Sequence, residues 1–67
     1  MTLVEVKSSN IKKVGWDEKG LYVEYNSGMY LYEGVDLEMY SKLLLSDSKG
    51  NFVNMNIKPN YNFKRLN

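Results

Sequence analysis

Ser48-Lys49-Gly50 sets a hydroxyl, an ammonium and a residue without a side chain in consecutive positions. If a helix starts there, its free backbone N–H groups point the same way, and the combination suits a phosphate-type anion. Asn51 adds a donor, and Lys58 and Arg65 follow within the same stretch. Among the aromatics, Tyr22 is the best placed to meet a ligand or a second subunit. The same Ser-Lys-Gly is equally an ordinary capping turn. It is not a P-loop, because the spaced first glycine and the preceding strand are missing.

Charge along the chain favours the anion reading. The stretch from Ser48 to Asn67 holds Lys49, Lys58, Lys64 and Arg65 and no carboxylate side chain, a local +4, although the whole chain carries only +1. The remaining residues therefore sum to −3. Phe52, Tyr61 and Phe63 interleave the basic and amide residues, which suits an anionic ligand with a flat ring. A solvated basic surface over core aromatics is the plain alternative.

Other chemistries lack their residues. With no Cys and no His, the 67-residue chain has no disulfide, thiol nucleophile or imidazole base, and no metal site or cofactor is expected. Asp17, Glu18, Asp36, Glu38 and Asp47 sit at turns and helix starts, where capping accounts for them. No carboxylate pair has a supporting nucleophile or base, so no enzyme activity is expected.

The elements that must position these groups follow from periodicity. Val4 and Val6 alternate with Glu5 and Lys7, and strands are expected again from Ile11 to Trp16, Leu21 to Tyr25 and Met29 to Glu33. Asp17-Glu18-Lys19-Gly20 and Asn26-Ser27-Gly28 turn the chain between them. With Trp16 opposite Leu21 and Tyr25 opposite Tyr30, Val14, Trp16, Leu21, Val23, Tyr25, Tyr30 and Tyr32 share a core face. Tyr30 and Tyr32 are the residue types that stack on bases, but this register assigns them to packing, with hydroxyls reaching polar partners at the rim. Lys13, Tyr22, Glu24, Met29, Leu31 and Glu33 take the other face, where Met29 and Leu31 are too apolar for open solvent and mark a contact with a second copy.

Asp36 caps a helix beginning at Leu37, whose stripe is Leu37, Tyr40, Leu43 and Leu44. Ser46-Asp47-Ser48 interrupts it. A second, shorter helix turns Phe52, Met55 and Val53 inward and ends at Pro59, leaving Asn60 to Asn67 as an extended piece or arm. The expected fold is a single α+β domain over residues 1–67: an antiparallel meander of about four strands covered by two short C-terminal helices. A chain this small is near the limit of what one core stabilises, so self-association is expected. No apolar run spans a bilayer and Met1-Thr2-Leu3-Val4-Glu5 lacks signal-peptide character, so a cytoplasmic protein without membrane contact is expected.

Ser8-Ser9-Asn10-Ile11, Val14-Gly15-Trp16-Asp17, Tyr30-Leu31-Tyr32, and Ser48-Lys49-Gly50 with Phe52, Asn54 and Ile57 together resemble the KTSC domain across residues 4 to 66. That family is named for the C-terminus of some lysyl-tRNA synthetases and also occurs as small free-standing bacterial and phage proteins. The resemblance implies a sheet-plus-helices fold and a role in binding RNA, without catalysis. Two departures stand out: Asp36 replaces the usual proline before the first helix, and Asn51, Asn54, Met55 and Asn56 replace an arginine-rich stretch. Fewer cations mean less counterion release, so a ligand with few phosphates fits better than a long backbone.

The function expected is thus a non-catalytic, homo-oligomeric binding module for a nucleotide-like anion, either RNA or a small signalling nucleotide such as a cyclic dinucleotide or oligonucleotide. A free-standing copy acts by occupying its ligand, which in a phage-encoded protein amounts to sequestration. The competing expectation is a protein–protein module docking through the apolar sheet face.

Overall fold

A computed structural model describes residues 2–67. Five antiparallel strands lie in chain order: β1 (Val4–Glu5), β2 (Ile11–Asp17), β3 (Gly20–Tyr25), β4 (Gly28–Glu33) and β5 (Phe63–Arg65). Between β4 and β5 come helix α1 (Leu37–Leu45) and the short helix α2 (Lys49–Phe52), which runs on into a π-helical turn over Val53–Ile57. The architecture is the expected α+β meander with helices after it. The terminal arm supplies a fifth strand, pairing Tyr32 with Phe63 and Tyr30 with Arg65.

Trp16 pairs with Leu21 as the turn predicts, and the Asp17 carboxylate accepts the Lys19 N–H at 2.9 Å to hold that turn. The next hairpin is tighter than expected: Tyr25 pairs with Gly28, so Tyr30 stands opposite Val23. Because the register differs by two residues, every side chain keeps its face. A bulge between Ile11 and Lys13 inserts one extra residue, which lets Ile11 and Val14 both point inward. At Gly20 the backbone adopts φ +144°, and a Cβ there would collide with the Tyr32 carbonyl.

One core results, formed by Ile11, Val14, Leu21, Val23 and Tyr32 of the sheet with Val35, Leu43, Val53 and Ile57 from beyond it. Asp36 caps α1, its carboxylate accepting the Met39 N–H at 2.9 Å. The inward face of α1 is Met39, Tyr40 and Leu43; Leu37 and Leu44, expected on that stripe, are exposed along with Leu45. In the second helix Met55 points outward and Ile57 takes the inward place, next to Val53 and Phe52. The wider π turn, closed by the Lys58 N–H to the Val53 carbonyl at 2.9 Å, puts Val53 and Ile57 on one side. Trp16 is half-buried and donates its indole N–H to the Val35 carbonyl.

On the opposite face of the sheet, Tyr22 and Leu31 are 8% and 7% exposed and Met29 is half-buried. Leu31 is therefore covered within the chain itself. No described helix is long and apolar enough to cross a membrane.

Candidate functional site

The core face of the sheet is only partly roofed. Its Tyr25, Tyr30, Tyr32 and Phe63 end faces α2 and the π turn across an open groove of about 600 Å³, whose far wall presents Gly50, Asn54 and Lys58. Asn10 and Ile11 close one end, and the hairpin residues Asn26 and Ser27 form a rim. The aromatic wall is continuous: Tyr25 meets Tyr30 edge-on with centroids 5.5 Å apart, and Phe63 lies 5.5 Å from Tyr30 and 6.1 Å from Tyr32. Such mutual packing fixes the rings before any ligand arrives.

Besides Lys58, the polar side chains of the groove are neutral amides and hydroxyls. Tyr25 and Tyr32 share a hydrogen bond between their hydroxyls at 2.8 Å. Burial pushes the Tyr25 hydroxyl far above the ordinary tyrosine range, with the Tyr32 bond adding to it. Burial also raises Tyr32, outweighing the opposing effect of its bond to Tyr25. Both stay protonated at neutral pH. Lys58 Nζ lies 5.5 Å from the Tyr25 ring centroid, and no carboxylate lines the groove. Arg65 stands over the other side of the aromatic row, its guanidinium 5.7 Å from the Tyr30 centroid and donating to the Ser27 carbonyl at 2.9 Å.

The residues expected to bind the ligand divide into four groups. Gly50 and Lys58 line the groove; Ser48, Lys49 and Asn51 line a smaller adjoining cleft of about 180 Å³ that shares Asn10, Gly50 and Asn54 with it. In that cleft part of the capping machinery is already engaged, and Lys7 adds a second lysine to its lining. Ser48 Oγ accepts the Asn51 N–H at 3.4 Å, Lys49 Nζ donates to the Ser46 carbonyl at 2.7 Å, and Asp47 adds a carboxylate. Arg65 reaches the site only through Tyr30 and the hairpin. Tyr22 is separate, on the opposite face with its hydroxyl on the Asp17 carboxylate at 3.0 Å, because it alternates with Leu21 and Val23.

Sequence reasoning passed over Tyr25 and Asn54 as site residues, pointed to Phe63 only among the tail aromatics suited to a flat-ringed ligand, and assigned Tyr30 and Tyr32 to packing. Period-two alternation placed the tyrosines on the correct face but carried no signal for how much of that face the helices leave open. No group of three or more metal-ligating side chains occurs among the described residues.

The KTSC domain family model matches residues 7–61. The chain belongs to the KTSC domain family. Among solved structures, the crystal structure of a KTSC domain protein from Yersinia pestis superposes with a TM-score of 0.91 at 26% identity, covering 98% of this chain and 97% of that one. Comparison with curated proteins finds no match. Strands β2 to β4 and both helices fall within the family segment. The match stops before Phe63 and Arg65, so the β5 wall of the groove lies beyond the family segment.

Proposed function

We propose that this KTSC domain is a non-catalytic module that binds a nucleotide-like anion in the groove between the tyrosine wall and α2. The observation that carries the reading is the lining itself: preset aromatic rings face Lys58 and Asn54 with no carboxylate among them. Rings offer stacking surface to a base and the cation attracts its phosphate. The volume suits a small molecule, as ligand sites run from about 300 to 1,000 Å³. With one lysine in the groove, a small signalling nucleotide such as a cyclic di- or oligonucleotide is favoured over a long RNA.

A module of this kind acts in the cytoplasm as a homo-oligomer and works by retaining its ligand, which in a phage would be sequestration. Catalysis has no support from the lining, which lacks a carboxylate, imidazole or thiol. Docking of a protein on the opposite sheet face draws less support, because Leu31 is already covered.

The test is retention. Protein incubated with a panel of cyclic nucleotides and short single-stranded RNAs, washed, and heated to release its cargo should yield a small nucleotide by mass spectrometry. Recovery of only RNA would transfer the function to single strands, and recovery of neither would remove the nucleotide reading.

A further inference from the structure

The hydroxyl pair in the groove is unusual in its arithmetic. Tyr25 and Tyr32 together carry two O–H protons and one of them is consumed by the bond between them, so the pair keeps one donor. That donor belongs to a hydroxyl that already accepts a hydrogen bond, which polarises it and strengthens what it gives. It lies on the aromatic side of the groove, and the lysine on the helix side is the only charged group in the lining. Donor and cation therefore address different parts of a ligand.

We infer that each groove takes one nucleotide unit ring-inward, the base edge presenting an acceptor to the Tyr25–Tyr32 pair while the phosphate lies toward Lys58. The inference rests on the nucleotide reading above and adds its orientation and selectivity. A ring nitrogen or exocyclic carbonyl of a nucleobase accepts such a bond. A duplex is excluded, since its paired bases leave neither a free face for the tyrosine wall nor room in a groove of about 600 Å³. A tyrosine hydroxyl is protonated throughout the neutral range, so the donor persists there, and burial moves both hydroxyls further from ionisation.

Calorimetry at low salt with the common nucleoside 5′-monophosphates, their nucleosides and ribose 5-phosphate tests this on the parent, Tyr25→Phe, Tyr32→Phe, the Tyr25→Phe/Tyr32→Phe double variant and Lys58→Ala. Tyr40→Phe, on α1 outside the groove, is the control. The best-bound monophosphate should exceed its nucleoside by about tenfold, as one charge-assisted contact does, and ribose 5-phosphate should bind far more weakly than either. Either single variant leaves one hydroxyl able to donate, whereas the double variant removes both and should weaken nucleotide and nucleoside alike by roughly fivefold, a typical single hydrogen bond. Lys58→Ala should reduce the nucleotide to the level of the nucleoside and leave the nucleoside unchanged. Removing both hydroxyls orphans neither, so the double variant should fold, and independently of it ribose 5-phosphate binding the parent as tightly as the monophosphate would overturn the orientation.

Unchanged monophosphate affinity in the Tyr25→Phe/Tyr32→Phe double variant overturns the ring-inward orientation while leaving the nucleotide reading intact. Failure of every monophosphate to bind the parent, with a larger nucleotide still recovered in the retention experiment, overturns the one-unit stoichiometry alone. Failure of both experiments removes the nucleotide reading as well.

Discussion

The Trp16 indole donates to the Val35 carbonyl at 2.7 Å, tying the end of β2 to the residue just before the Asp36 cap. A single side chain thus joins the sheet to the start of α1. Truncating it in Trp16→Ala should lower unfolding free energy by about 3 kcal/mol, the low end for large aromatics because the ring is only half-buried. Trp16→Phe keeps most of the packing but orphans the carbonyl, for a loss of about 1–2 kcal/mol. Urea denaturation distinguishes the two.

Lysines on the second helix should separate by what their ammonium groups touch. Lys58→Ala should weaken nucleotide binding with a stability change within about 0.5 kcal/mol, and the affinity of the parent should fall more steeply with salt than that of the variant. Lys49, bound to the Ser46 carbonyl, should affect binding less. Lys42→Ala, on α1, is the matched control, and a larger binding defect in Lys49→Ala than in Lys58→Ala would return the site to the Ser48–Asn51 cleft.

Gly20→Ala should be among the most damaging small substitutions in the chain. At φ +144° an L-residue is strained, and its Cβ would meet the Tyr32 carbonyl, backbone that cannot swing aside as a side chain does. A loss of at least about 2 kcal/mol is expected by thermal unfolding. Gly34→Ala, at φ +83° with open space around it, should cost less.

Alkaline pH should unfold the protein through its buried phenols. Tyr25, Tyr32 and Tyr40 are raised by burial, so the folded state keeps protons that the unfolded chain releases above its ordinary tyrosine pKa of about 10. Their stabilising contribution is complete below that pH and is lost as pH rises toward the folded values. Phenolate absorbance should therefore lag behind that of denatured protein above pH 10 and rise with unfolding. Tyr25→Phe should flatten the decline.

Self-association is checked by sedimentation at micromolar concentration, where a mass above 7.8 kDa is expected. Met29→Lys is the informative variant, because Leu31→Lys would disturb a side chain already buried within the chain. A parent that sediments as a monomer removes the oligomer from the proposal.

Most of the fold is legible in sequence because strand alternation and turn residues act locally. The Tyr25 register slipped by two residues, a harmless error since the faces repeat every two. Helix faces were less legible. Leu37 and Leu44 fit an apolar stripe as well as Met39 does, and only the angle at which α1 meets β2 selects between them. Met55 and Ile57 exchanged roles because nothing in Val53-Asn54-Met55-Asn56-Ile57 announces a π turn. The groove was the least legible feature, since it is a gap between elements. Lys58 and Gly50 were found by charge and size, whereas the half-buried Tyr25 and Tyr30 became site residues only through what fails to cover them.

The last strand joins late. β1 to β4 can zip together through adjacent hairpins, but β5 must wait until everything between Glu33 and Phe63, both helices included, has been laid down, a larger loop to close. All three of its residues are exposed, so burial adds little to its pairing. In amide exchange, Phe63 to Arg65 should lose protection well before β2 and β3, through fraying that leaves the rest intact. Because Phe63 completes the aromatic row and Arg65 braces Tyr30, a molecule lodged in the groove should slow exchange in β5 more than anywhere else in the chain.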